Sequence, residues 1–529
     1  NKVSSLCNIA CVDNAKIQDS SNYKINWKYD PSNAELPSHG FCGLTNQGAT
    51  CYINSLLQQF FMCEKIRDGV LYNKDQDLLQ ANDRKILKEL QRLFAFLQCS
   101  EAKSYNTTNF VETCRELELT NDVLSQNDTA EFCDKLIDHL ETALQSTWQT
   151  FTGSIMHETD FLGVPYRSER KQKIACLQLP IIGNSKSTLK QSLDSFIKAE
   201  KMEGENQVEC HEAGNKKFDA LRRDWLSILP QLLIVHLKRW ELDYQTFVMK
   251  KNNNYCQFPI ELDMTPYVKT AANSQSNGIN ASSKYVLSGV LIHRGPAGGG
   301  HYYSIIKDRR TGEWYKFNDE VVARFDINTI DEESFGKAGS DQSAYMLFYE
   351  RIDTCSEAKN NAESTREEVN AVDTKINEGY VVSLQKELSS FNSTFLQKQI
   401  LFDTELSKFL YDDMCQFDYS IAQYKLAIQY FFGIIMRSYH TSVLKSYSKH
   451  LQMKIRSNFE IAKWTLYEII CPNYNDPNCT LVLNHLLECN EEEKRQVLSK
   501  IIVATMIGVQ TQQRLKKDVV LNDTVRLCM

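Results

Sequence analysis

The chain predicts an α+β region of two lobes followed by a separate all-helical region. Three observations carry this. Apolar residues recur at helical spacing from about 37 to 150, short apolar runs broken by Asn, Gly and Pro clusters fill 150–352, and long helical patterns return after 380. At 529 residues the chain is too long for one core and should hold two or three domains.

The elements follow in order. Residues 1–36 are polar and weakly patterned, and read as a leader. Residues 83–98 carry Ile86, Leu87, Leu90, Leu93, Phe94 and Leu97 on one helical stripe. Residues 126–144 do the same with Phe132, Leu136, Ile137, Leu140 and Leu144, and Ser125 is the expected N-cap. Runs such as 232–235 and 285–292 read as buried strands, and Tyr345-Met346-Leu347-Phe348-Tyr349 as a core strand closing the β lobe. Residues 353–380 are charged and without apolar periodicity, a linker. Residues 381–529 read as an all-helical domain or the first turns of an α-solenoid, with Ile421, Tyr424, Ala427, Phe431 and later Ile501, Ile502, Ala504 and Ile507 on its apolar faces, though no period is clean enough for a repeat. The abrupt start at Asn1 suggests a piece of a longer protein.

A net charge of −7 argues against nucleic acid as the main partner. The apolar runs near 426–436 and 501–509 are too short to span a bilayer, so no membrane is expected either. Seventeen scattered cysteines with no Cys-x-x-Cys pair fit a reducing compartment, cytosol or nucleus.

One cysteine has a distinctive address. Cys51 follows a loop of small and turn-forming residues (Asn46, Gln47, Gly48, Ala49, Thr50) and precedes Tyr52, Ile53, Leu56, Leu57, Phe60 and Phe61 at helical spacing. The spacing puts a thiol in the first turn of a buried amphipathic helix, where N–H groups and the helix dipole favour thiolate. Most free cysteines are inert buried hydrophobes, so a nucleophile needs a base from elsewhere. His301 supplies one: Gly298, Gly299 and Gly300 clear side chains from beside it, and a strand (302–306) follows. Asn318, after the apolar run 314–317, can hold one ring nitrogen so that the other faces a thiol.

The Cys51 segment, Gln126-Asn127-Asp128-Thr129-Ala130-Glu131-Phe132, Leu237-Lys238-Arg239-Trp240, Gly299-Gly300-His301-Tyr302-Tyr303, Phe317-Asn318-Asp319 and the 344–349 strand occur in that order. Together they resemble the ubiquitin-specific protease family of papain-like deubiquitinases, over roughly 38–352. The run 258–267 and the helical region resemble the very large fat-facets-like members. The resemblance implies a papain-like fold with a helical lobe, a β lobe and a finger-like β extension. It also implies a thiol isopeptidase that acts on ubiquitin and ubiquitinated proteins.

In that reading Cys51 attacks the carbonyl of ubiquitin's C-terminal glycine, and His301 is general base and then acid. Asn318 orients the ring, with Asp319 assisting, since either an amide or a carboxylate can accept the ring N–H. Asn46 joins the Cys51 N–H as an oxyanion donor. Gln126, Asp128 and Glu131 are substrate-binding. Asp128 and Glu131, three apart on the polar face of a helix, suit the arginines of a Leu-Arg-Leu-Arg-Gly-Gly tail. Gly299 and Gly300 form the channel for its two glycines, and Tyr302 is a wall of that channel. Many family members hold zinc through two Cys-x-x-Cys pairs in the finger. Here only Cys210 remains, with Phe161, Val164 and Ala213 at the other positions, so no metal and no cofactor is expected. The alternatives are a non-catalytic ubiquitin-binding scaffold and a protease for another ubiquitin-like modifier.

Overall fold

The structure, a computed structural model, describes residues 31–73, 80–120, 127–141, 144, 151–183, 186–243, 247–269, 283–296, 299–337, 339–352, 380–438, 442–470 and 491–515. The leader to residue 30, the linker 353–379, Ser125, Gln126 and Gly298 lie outside them. The chain divides into two compact units near Leu388.

In the first unit the helical lobe is built on α1 (Cys51–Met62), α2 (Ala81–Cys99) and α3 (Thr129–Glu141). Helix α2 buries the expected stripe, and its Phe94 meets Phe61 of α1 edge-on at 5.5 Å. Helix α1 is buried, as expected, and on every side: all twelve of its residues are buried. Two of its polar side chains donate inside the fold: Gln58 Nε2 to the Cys42 carbonyl at 3.0 Å, and Asn54 Nδ2 to Asp319 Oδ1 at 2.8 Å. Burying Leu56, Leu57 and Phe60 contributes about 1.5–3 kcal/mol each. Helix α3 starts at Thr129, later than expected. Asp128 Oδ1 accepts the N–H of Ala130 at 2.7 Å, so Asp128 caps this helix.

The β lobe is one eight-stranded sheet. Its strands are β3 (Cys176–Pro180), β6 (Leu232–Lys238), β9 (Glu261–Asp263), β10 (Lys284–Arg294), β11 (His301–Lys307), β12 (Trp314–Asn318), β13 (Val321–Phe325) and β14 (Gln342–Arg351). The order is β13-β12-β11-β10-β14-β6-β3, with β9 pairing β10. Only β6–β3 is a parallel pair here. The expected closing strand, β14, lies in the sheet's interior between β10 and β6, which explains its unbroken apolar run from Tyr345 to Tyr349. Helix α1 packs on β11 and its neighbours, and a core including Leu233, Val235, Leu287, Ile292, Ile305 and Leu347 fills the sheet. Between β6 and β9 projects a hairpin, β7 (Trp240–Asp243) with β8 (Val248–Lys251).

The finger is a separate four-stranded sheet, β2-β1-β5-β4, of β1 (Gly153–Phe161), β2 (Arg167–Ile174), β4 (Glu200–Met202) and β5 (Ala220–Ile228). At its tip Phe161, Cys210 and Ala220 are buried together, with Val164, Met202, Val208, Ala213 and Phe218 packed around them. Phe161, Val164, Cys210 and Ala213, the positions read in the sequence as an incomplete ligand set, thus belong to a small apolar knot. His211 turns away to Asn215 (2.6 Å).

The second unit is helical. Helices Thr404–Gln416, Ile421–Gly433, Leu444–Ser457, Phe459–Thr465 and Glu492–Leu515 surround Tyr424, Ile428, Phe431, Tyr447, Leu451, Ile455 and Ile501. Side-chain caps start three of them: Asp403, Ser420 in a capping box with Gln423, and Asn458.

Gly43, just before the Cys51 loop, lies against the turn after β12. A Cβ there would stand 2.6 Å from the backbone carbonyl of Glu320 and 2.7 Å from that of Asp319. Gly43→Ala should therefore destabilise the first unit by ~1–3 kcal/mol. An unchanged urea midpoint would show that the turn yields freely. The apolar finger knot likewise predicts that dialysis against a strong chelator leaves the melting temperature unchanged.

Candidate active site

The geometry starts at the hairpin β12–β13. Asn318 pairs with Val321, leaving a two-residue turn whose first member, Asp319, adopts φ +49°, a conformation that Asp tolerates better than most residues. In the adjacent pair Ser304 faces Phe317, so His301 and Asn318 are diagonal neighbours on one face of the pleat. Asn318 Oδ1 meets His301 Nε2 at 2.5 Å. With Nε2 on Asn318, Nδ1 is the ring nitrogen left for the Cys51 side chain, with which His301 also shares a hydrogen bond. Cys51 is buried at the first position of α1, and the N–H of Tyr302 donates to its sulfur at 3.4 Å. Fold and register thus join a thiol and an imidazole 250 positions apart.

His301 is pushed up from 6.5 to about 9. The hydrogen bond to Cys51 is the largest cause, burial opposes it, and Asn318, the sulfur's charge and the Asp319 carboxylate add to the rise. Two other histidines nearby go the opposite way. Burial, with Lys251 and His301 adding repulsion, lowers His293 to about 3, and burial also lowers His236.

Asp319 does not take the expected part as a second orienter. Its Oδ2 lies 3.8 Å from His301 Nε2, beyond hydrogen-bond distance. It accepts instead from Asn46 Nδ2 (2.9 Å) through Oδ2 and from Asn54 Nδ2 (2.8 Å) through Oδ1. Asn46 is tied at both ends: its Oδ1 accepts from Gly48 N (3.0 Å), Thr50 N (3.1 Å) and Thr50 Oγ1 (3.2 Å). Three donors on one oxygen fix which way the amide faces, and one of its two N–H bonds is committed to Asp319. Asn54 escaped the sequence reading because a polar residue inside a helical run reads as its solvated side.

The substrate-binding candidates are arranged differently from expectation. Asp128 lies before α3 rather than on its face. Its Oδ2 accepts from the Tyr345 hydroxyl at 2.6 Å while Oδ1 caps the helix. Glu131 is exposed and pairs with Lys135 at 2.8 Å, an i,i+4 contact worth only about 0.3–0.5 kcal/mol. Tyr302 is buried, its ring 4.6 Å from His293 and 5.8 Å from Tyr345. Trp240 adds contacts at 5.1 Å to His293 and 5.9 Å to Tyr345. With His236 4.7 Å from Tyr345, this aromatic cluster is assembled from β6, β7, β10, β11 and β14, and no local motif announces it. Gly300 has φ +140°, and a Cβ there would meet the Arg294 carbonyl at 2.3 Å; Gly299 faces open space. No group of three or more His, Cys, Asp or Glu side chains suited to a metal occurs among the described residues.

A helical lobe and a β lobe that bring a buried thiol at a helix start beside an imidazole bonded to an amide are consistent with the papain-like α+β fold. Residues 42–349 match the family described as ubiquitin carboxyl-terminal hydrolase, and the chain belongs to that family. It is 30% identical over 420 residues to mouse ubiquitin carboxyl-terminal hydrolase 9X, covering 62% of this chain and 16% of that protein. It is 32% identical over 372 residues to human ubiquitin carboxyl-terminal hydrolase 24, covering 61% and 14%. Against the Drosophila melanogaster protein described as probable ubiquitin carboxyl-terminal hydrolase FAF, identity is 28% over 437 residues, covering 66% and 15%. The chain therefore spans about one seventh of the length of these relatives.

Because the hydrogen bond to Cys51 is the largest cause of the rise at His301, Cys51→Ala should return the ring toward 6.5. NMR titration of the histidine rings checks this. A His301 that still titrates near 9 in the variant would refute the pairing.

Proposed function

We propose that the chain is a deubiquitinating thiol isopeptidase working through an acyl-enzyme. One observation carries the reading. Cys51 and His301 share a hydrogen bond while Asn318 holds the far ring nitrogen at 2.5 Å. The Cys51 sulfur, its proton passed to His301, attacks the carbonyl carbon of ubiquitin's C-terminal glycine, and the carbonyl electrons move to oxygen. Collapse breaks the C–N bond as His301 gives its proton to the leaving amine, leaving a thioester. Water, deprotonated by His301, then attacks the thioester, and the proton returns to sulfur. The second N–H of Asn46, held by Asp319, stabilises the oxyanion.

Asp128, oriented by Tyr345, and the exposed Glu131 are the acceptors for the tail's arginines, with Gln126 as a further contact. The glycines pass Gly299 and Gly300 beside Tyr302. We place the activity in cytosol or nucleus, which the ten free cysteines among the described residues support. The helical region serves as structural support or a partner surface. No described helix is long and apolar enough to cross a membrane.

A ubiquitin C-terminal fluorogenic amide and a ubiquitin probe with a thiol-reactive C-terminus test the reading. Cys51→Ala should abolish hydrolysis and labelling, and Asn46→Ala should lower kcat on the order of 10²–10³. Labelling that persists in Cys51→Ala would sink the assignment, and absent wild-type labelling would favour a binding scaffold. The pH profile has a definite sign. Amine departure needs the protonated ring, which in the free enzyme is present below about 9, so kcat/KM should fall as pH rises through that value. Asn318→Ala removes one cause of the rise and should move this limb to lower pH.

A further inference from the structure

Hairpin β7–β8 ends in a lysine that the chemistry above does not use. Lys251 Nζ donates to the main-chain oxygens of Asp341 (2.6 Å), His293 (2.8 Å) and Gly295 (3.3 Å). An ammonium has three donors and no acceptor, so three carbonyls match it fully. The site is costly for a cation: burial and the nearby Arg239 push Lys251 down to about 8, with Asp341 opposing. Arg239 is itself fully buried and spends its guanidinium on the carbonyls of Ala344, Asn252 and Asn254. Two cations thus pin backbone at the root of one hairpin.

Two of the carbonyls that Lys251 holds, those of His293 and Gly295, lie at the end of β10, one loop before His301, and the third, that of Asp341, lies just before β14. Gly295 N donates to the Asp341 carbonyl at 2.9 Å, and Arg294 pairs directly with His301. Gly295 and Gly300 abut: a Cβ on Gly295 would lie 2.7 Å from the Gly300 Cα, and one on Gly300 would lie 2.7 Å from His293 Nε2. Neither glycine has a side chain of its own to cushion this contact. Whatever sets the height of 293–295 sets the height of His301.

We propose that Lys251 is a positioning residue for the general base, its three hydrogen bonds clasping hairpin β7–β8 to the segment that delivers His301 to Cys51. The proposal rests on reading those two residues as base and nucleophile. A lysine that merely stabilised the fold would change melting behaviour without changing the chemistry of Cys51. The clasp predicts a different pattern.

The test uses the full chain with Lys251→Met, which keeps the stem and removes the donors, and Lys251→Gln, which keeps two. One readout is kcat and KM on the ubiquitin fluorogenic amide. The other is the rate at which iodoacetamide alkylates Cys51 without ubiquitin, followed by mass spectrometry across pH. Displacement of the base should lower kcat about tenfold or more with KM little changed, more in Met than in Gln. Alkylation of Cys51 at neutral pH should slow in the same order. If the Met variant does not fold, the Gln variant decides. A folded variant with wild-type kcat and alkylation profile overturns the clasp. Absent hydrolysis in the wild type would instead count against the proposed function, and the alkylation readout would still judge the clasp.

Discussion

The site hangs on one carboxylate. Asp319, in a left-handed turn at the end of β12, reaches the loop before Cys51 through Asn46 and the helix after it through Asn54, and its main-chain oxygen accepts the Leu44 N–H at 2.9 Å. Hydrogen bonds to a charged acceptor contribute about 1.5–3 kcal/mol each. The neighbouring residue, Asn318, holds His301. One two-residue turn therefore sets the thiol's helix against the strand that carries the base. Gly43 lets the loop approach that turn closely enough for these bonds to form.

Histidines of the same lobe illustrate how environment assigns roles. His301 gains a proton because the sulfur and the Asn318 amide face its two nitrogens, whereas His293 and His236 are buried and stay neutral. That neutrality matters. A charged His293 would repel His301, and a charged His236 would compete for the charge of Asp128. As neutral rings they add apolar bulk beside Trp240, Tyr302 and Tyr345 without competing ionically.

Much of this was legible in the sequence, for local reasons. Cys51 after a turn loop, His301 after glycines and Asn318 ending an apolar run are features of a few consecutive residues, and the strand and helix periods around them are strong. The apolar residues in the finger could likewise be read directly as an incompatible ligand set. What escaped was long-range. The partners of Asp319 lie 273 and 265 positions away, so its role could not be separated from that of Asn318 beside it. Asp128 was placed on α3 when its hydrogen bond makes it the cap, a boundary shift that changes where its charge points. Nothing local to α1 shows that Gln58 and Asn54 bond the Cys42 carbonyl and Asp319. Lys251 had no signature, because its partners are main-chain oxygens.

If Asp319 works by holding Asn46, the two residues act as one unit in the transition state. A double-mutant cycle of Asp319→Ala and Asn46→Ala on kcat for the ubiquitin amide measures this most directly. The account predicts that each single variant loses activity and that the double variant loses clearly less than the product of the two losses, the part of Asp319 that acts through Asn54 remaining additive. Losses that simply multiply would contradict it, showing that the carboxylate and the amide contribute independently.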